Sequence, residues 1–330
     1  MPSAKSETPA QASTLKLATL VILWYAGNTF YNVYNKTALN MMSAHWFVAS
    51  AQLFVGCILS VILWATGIRK MPQLTTNDWI SCLPIGLFAS LAHCGTVLAS
   101  AVGAVSFAQI VKACEPVFAA AVGVMVPPME VKPFLAYLML IPIVGGVGIA
   151  CIKEGKGVEI NYLAFLYASL ANAAAALKGK LGSSVTKSLK SDPAKNMDAA
   201  NVYAVMNIIS FVFTIPFVVF TELSTLSKTW DDAVAVHGGT EIAKNIIVSG
   251  LFFYFYNETA FAFTSHVGAV TSSVLNTAKR VIIIVVSAIV FQEAMERNTV
   301  IGSAIAIGGT FAYSLTSSPS KPTTSKAKAA

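Results

Sequence analysis

The sequence predicts an all-α polytopic membrane protein, with ten transmembrane helices arranged as two inverted five-helix repeats. Three observations predict it. The composition is 55% hydrophobic and 11% charged, with a mean hydropathy of +0.68, whereas a soluble domain carries ~25% charged residues. Apolar stretches of spanning length recur along the whole chain, and two short motifs recur half a chain apart.

A helix that crosses a bilayer needs about 20 mostly apolar residues. This rule places helices near 17–36, 44–66, 78–102, 104–126, 132–152, 160–179, 199–221, 243–265, 267–291 and 298–316. A polar tail, 1–16, precedes the first repeat, 17–152. The second repeat, 153–316, is followed by a basic Ser/Pro/Lys-rich tail, 317–330, expected to be disordered. Helices three and four meet at Val102-Gly103-Ala104, and eight and nine at His266-Val267-Gly268, as tight membrane-edge hairpins.

Those hairpins also carry the repeat. Val102-Gly103-Ala104-Val105-Ser106 is answered 165 residues later by Val267-Gly268-Ala269-Val270-Thr271. Gly145-Gly146 is answered by Gly308-Gly309 at an offset of 163. Two matches at nearly one offset indicate duplication of a five-helix unit. Five is odd, so the second copy enters from the opposite side, the architecture of alternating-access carriers.

Net charge is +7 from 22 basic and 15 acidic residues. Sorted by side, 13 basic residues flank the membrane on the N-terminal side and six on the other. Both termini are therefore expected on the cytosolic or topologically equivalent side. The excess charge belongs to that rule and implies no nucleic-acid partner. The first 16 residues do not resemble an Arg-rich transit peptide. The terminal Lys326-Ala327-Lys328-Ala329-Ala330 resembles a dilysine retrieval signal of endoplasmic-reticulum membrane proteins, or is a plain basic tail. The five cysteines show no ligand spacing and read as small apolar helix residues.

Three cations remain inside apolar stretches: Lys112 in helix four, and Lys279 and Arg280 in helix nine. A charge at the membrane centre costs ~3 kcal/mol or more, so such residues default to a functional reading. They come from the fourth helix of each repeat, as a site on a pseudo-two-fold axis requires. Glu115, three residues from Lys112, could neutralise one of them but not all three. Three cations buried in an apolar chain ask for an anion, to which Arg280 offers a planar fork of donors and the lysines add point charges.

Four motifs in order resemble the plastidic phosphate translocators of the drug/metabolite transporter superfamily. These are Ser106-Phe107 followed by Lys112-Ala113-Cys114-Glu115-Pro116, then Met197-Asp198-Ala199-Ala200-Asn201-Val202-Tyr203, Tyr256-Asn257, and Lys279-Arg280. The resemblance implies a ten-helix carrier that exchanges inorganic phosphate for phosphorylated metabolites. It implies a phosphate clamp of Lys112, Lys279 and Arg280, with His93, Thr96 and Tyr256 as the next layer of substrate contacts. Asn257 and Asn28 are further candidates. Read as residues alone, His93 is equally a packed histidine, and Asn28, Asn32 and Asn35 form a helical stripe suited to interhelical hydrogen bonds. The chain departs from the family near the end of helix six. There the family places an Arg that helps read the far end of the substrate, and here Lys178 is the counterpart.

The resulting expectation is a strict antiporter of inorganic phosphate and phosphorylated C3 metabolites, triose phosphate or 3-phosphoglycerate. It would sit in the plastid envelope or a plastid-surrounding membrane continuous with the endoplasmic reticulum. The partners are these substrates and the lipid bilayer. No cofactor and no metal are expected, and no oligomeric state is assigned. Antiporters of phosphoenolpyruvate, pentose or hexose phosphates, or nucleotide sugars are the alternatives within transport. An enzyme is disfavoured because the three cations have only Glu115 and His93 as acid–base partners.

Overall fold

The computed structural model describes residues 14–153, 157–158, 161–293 and 295–317. Both tails, with the dilysine pattern, lie outside the described residues. Thirteen α-helices are described: α1 Thr14–Met41, α2 His45–Ala65, α3 Thr76–Val102, α4 Val105–Lys112, α5 Glu115–Met125, α6 Phe134–Leu138, α7 Leu140–Ala150, α8 Tyr162–Ser191, α9 Ala199–Thr221, α10 Leu223–His237, α11 Gly239–Val267, α12 Ala269–Val290 and α13 Arg297–Thr316. A two-residue hairpin pairs Ile152–Lys153 with Gly157–Val158.

Seven helical stretches are long and apolar enough to cross a membrane, which makes this a polytopic membrane protein. They cover α2, α3, α4 with α5, α9, α11, α12 and α13. The other three expected crossings are present as helices of different character. At 28 and 30 residues, α1 and α8 have the length, but asparagines in one and lysines in the other lower their hydropathy. Phe134–Ala150 is apolar but shorter.

Two expected helices are interrupted, each for the same reason. A proline has no N–H and its ring crowds the carbonyl four residues earlier. Pro116 lies four residues after Lys112, where α4 ends, and Pro142 lies four after Leu138, where α6 ends. At the first break the chain tightens, with Ala113 N–H bonding Ile110 O and Cys114 N–H bonding Val111 O. Neighbouring helices take up the carbonyls of the broken segment. Asn172 Nδ2 donates to Val111 O at 3.0 Å, and Thr310 Oγ1 donates to Ala113 O at 2.9 Å. Inside a bilayer such side-chain donors replace the water that a broken helix would otherwise need.

One helix was not expected. α10 is amphipathic and too short to span, and it lays Leu226, Trp230, Ala233 and Val234 against a cluster containing Ala38, Met42 and Val48. Its apolar residues recur at helical spacing, so the pattern was present in the sequence.

The helices pair as α3 with α8, α1 with α11, α7 with α13, α2 with α9, and α4 with α12. The α7–α13 contact is close because Gly146 and Gly302 face each other, and a Cβ on either would overlap the other helix's backbone. At the end of the bundle where α1 finishes, carboxylates cap helix N-termini across long sequence separations. Glu293 accepts from the amides of Val105 at 2.8 Å and Ser106 at 3.0 Å. Glu222 accepts from Trp46 at 2.9 Å and Phe47 at 2.8 Å. Lys36 Nζ donates to Ser100 O at 2.7 Å and Gly103 O at 3.0 Å, serving the end of α3. Each charge suits the helix dipole it meets.

Candidate anion-binding site

The break at Pro116 places Lys112 on the last residue of α4 and Glu115 on the first of α5. Opposite them, α12 carries Lys279 and Arg280. Consecutive helical residues point about 100° apart, and these two meet different partners. Arg280 is 4% exposed and its Nη2 donates to Glu115 Oε2 at 2.6 Å. Its Nη1 is buried and has no partner among the described residues. Lys279 places Nζ 5.1 Å from the Trp24 ring centroid and 5.5 Å from that of Tyr256. Cation–π attraction holds it there, and among the described residues it has no carboxylate partner. Lys112 Nζ donates to Thr96 Oγ1 at 2.9 Å. The Thr96 hydroxyl donates in turn to Ala92 O at 2.7 Å, which leaves its lone pair for the ammonium.

These groups enclose a chamber of about 90 Å³ that Lys112, Glu115, Lys279, Arg280, Thr96 and Tyr256 line, together with Asn28 and Asn32. A larger cavity of about 680 Å³ shares Lys112, Glu115, Thr96, Tyr256 and Lys279 with it. This cavity reaches the C-terminal parts of α8 and α11 and the start of α12, where Lys190, Ser265 and Ser273 are exposed. His93, Lys178 and Asn257 line the larger cavity only.

The structure places each of the candidate binding residues around these two cavities, in two tiers. The inner chamber holds the three cations, Thr96, Tyr256 and Asn28. In the outer tier, His93 is turned toward its scaffold, with Nε2 3.2 Å from Ala49 O and its ring 4.1 Å from that of Phe253. Asn257 Nδ2 donates to Phe253 O at 2.9 Å, within its own helix. The asparagine stripe divides. Asn35 accepts from Gln52 Nε2 at 2.8 Å and Asn32 accepts from Gln109 Nε2 at 3.3 Å, so both tie helices together.

Sequence reasoning missed Trp24, Tyr31, Gln109 and Asn276 as lining residues. Trp24 and Tyr31 lie on the asparagine face of α1, one turn before Asn28 and one residue before Asn32. Their signal was the continued helical spacing. Gln109 precedes Lys112 by one turn, and a buried amide so placed is the same kind of signal.

A helical membrane bundle with a central, cation-lined cavity reaching one of its ends has the build of a membrane carrier. Residues 15–314 match the Triose-phosphate Transporter family. The chain is 31% identical over 305 residues to the xylulose 5-phosphate/phosphate translocator of Arabidopsis thaliana, covering 92% of this chain and 71% of that one. It is 32% identical over 294 residues to the triose phosphate/phosphate translocator of Flaveria pringlei, covering 89% and 69%. Glucose-6-phosphate/phosphate translocator 1 of Arabidopsis thaliana is 29% identical over 314 residues, covering 94% and 78%. The chain belongs to the triose-phosphate transporter family.

Proposed function

We propose that this protein is an antiporter that exchanges inorganic phosphate for phosphorylated C3 metabolites, triose phosphate or 3-phosphoglycerate, by alternating access. The observation that carries the reading is the convergence of Lys112, Lys279 and Arg280 on one chamber of about 90 Å³ that adjoins a cavity large enough for the rest of a metabolite. A phosphate takes the Arg280 fork and the two ammonium groups, with Thr96, Asn28 and Tyr256 completing the shell. Lys178 then meets the carbon end, in the cavity that His93 and Asn257 also line.

Two inverted halves, 17–152 and 153–316, underlie the motion. Reciprocal packing supports them: α1 on α11 answers α3 on α8, while α2, α4 and α7 pair with their own counterparts α9, α12 and α13. Coupling follows from charge. Three cations against one carboxylate leave about two uncompensated positive charges in the empty site, and enclosing them costs several kcal/mol per ion. A phosphate or phosphate-ester dianion cancels them, so the loaded carrier reorients and the empty one does not. With Lys178 set aside as a cavity residue, the basic-residue count of 12 against six supports termini on the cytosolic side. The chloroplastic relatives support a plastid envelope or plastid-surrounding membrane.

Relatives named for xylulose 5-phosphate and glucose 6-phosphate match as well as those named for triose phosphate. Pentose or hexose phosphate is accordingly the second reading. Liposomes preloaded with phosphate and challenged with labelled triose phosphate, 3-phosphoglycerate, phosphoenolpyruvate, xylulose 5-phosphate, glucose 6-phosphate and UMP separate the readings. C3 esters are expected to exchange fastest. Faster glucose 6-phosphate or xylulose 5-phosphate moves the assignment to the second reading, and exchange of UMP alone overturns both.

A further inference from the structure

Among the described residues Glu115 is the one carboxylate lining the chamber, and its contact with Arg280 is incomplete in a specific way. Only Nη2 is engaged, at 2.6 Å, while Nη1 stays buried without a partner among the described residues. An Arg–carboxylate pair built for permanence engages two parallel donors. The two side chains are also unequally held. Arg280 is 5% exposed in its side chain, whereas Glu115 is 37% exposed and lines both cavities. Glu115 further sits at the first residue after a helix break, so its side chain can swing without disturbing α4. A second cation awaits it. Lys178 on α8 lines the same outer cavity, lies within electrostatic range of the Glu115 carboxylate, and has no hydrogen bond or ion pair among the described residues.

We propose that Glu115 is a displaceable counter-anion, which occupies the Arg280 fork in the absence of substrate and passes to Lys178 when a phosphate group takes that fork. This inference rests on the phosphate-site reading above. A phosphate presents two oxygens to Nη1 and Nη2 together and carries more negative charge than a carboxylate, so it wins the exchange. Glu115 is then a positioning residue that reports occupancy of the inner chamber to α8. The competing role is a fixed buttress that aims Arg280 at phosphate, and the two roles predict effects of opposite sign.

The test is calorimetric titration of inorganic phosphate into purified full-length carrier. Binding by the wild type checks the phosphate-site reading separately, since its absence removes that reading whatever the variants do. Given wild-type binding, Glu115→Gln is expected to bind phosphate roughly tenfold tighter, the scale of one charge-assisted hydrogen bond no longer competing. Exchange in liposomes should slow, because release becomes harder. Lys178→Gln is expected to weaken phosphate binding in the wild-type background and to have no effect in the Glu115→Gln background. Equal or weaker binding by a folded Glu115→Gln carrier overturns the proposal, as does the same Lys178→Gln effect in both backgrounds. If Glu115→Gln does not fold, Lys178→Gln alone decides: unchanged phosphate affinity overturns the transfer.

Discussion

Lys279 and Arg280 share a helix turn but not a chemistry. Arg280 is held by a carboxylate and Lys279 by two aromatic faces, yet each supplies a charge the anion site needs. Arg280→Ala and Lys279→Ala are each expected to lose nearly all phosphate exchange while inserting normally, with ~2–5 kcal/mol lost from binding. Arg280→Lys should fail almost as badly, because a point charge does not replace the fork. Reconstituted exchange and gel filtration of each variant check this. Thr96→Val removes the acceptor that steadies Lys112 and a hydroxyl from the chamber wall, and should weaken binding by about 1 kcal/mol or more. At this scale the sequence was most legible. A charge inside an apolar run is conspicuous, and three of them from matched helices point at one another. Trp24 was legible only as a continuation of the asparagine spacing, and its contact with Lys279 was not, because no local pattern joins α1 to α12.

The helix break between Lys112 and Glu115 sets the geometry of the whole site. Pro116→Ala restores the amide that can bond the Lys112 carbonyl and lets α4 and α5 run on as one helix. The expected outcome is a higher melting temperature with slower exchange, measured on the same preparation. Gly302→Val inserts a branched side chain where α13 meets the backbone of α7. Overpacking of that kind typically costs 1–3 kcal/mol, so thermal unfolding should move down by several degrees, roughly as far as a small-domain core mutation moves it. Pro116 and Pro142 mark the two interruptions, but Pro84 and Pro216 sit inside α3 and α9 without breaking them, so proline alone did not identify the breaks. The caps were not. Glu293 stands 188 residues from Val105, and Glu222 stands 176 from Trp46, so no local pattern joins them. The start of one family motif serves the fold and lies apart from the cation site. In Met197-Asp198-Ala199-Ala200-Asn201, Asp198 accepts from the Asn201 amide at 2.8 Å and caps α9, while Asn201 Nδ2 binds Lys70 O at 2.9 Å. That motif starts and anchors a helix.

Across the whole molecule, the two ends of the bundle differ. Lys36, Glu222 and Glu293 tie helix ends together at one, while exposed Lys190, Ser265 and Ser273 line the cavity toward the other. Liposomes preloaded with phosphate should take up labelled phosphate, and empty liposomes should take up very little. Comparable uptake into both would mean that the bare cationic site reorients freely, contrary to the charge argument. Composition conveyed the membrane class, because it depends on residue type alone, and buried cations marked which residues line one cavity. Which end the cavity reaches depends on the summed energies of distant caps, and no stretch of sequence states that sum.

The seat of Lys279 against Trp24 gives the carrier an optical consequence. Indole emission responds to a nearby charge, and this indole has an ammonium 5.1 Å from its centre. A bound oxyanion that draws Lys279 off the ring alters the field at the chromophore. Of the five tryptophans in the chain, Trp24 alone lines the cavity. Ultraviolet excitation should therefore register occupancy directly, as an emission change that saturates with phosphate and disappears in Trp24→Phe. The unlabelled protein is in that sense its own photometer.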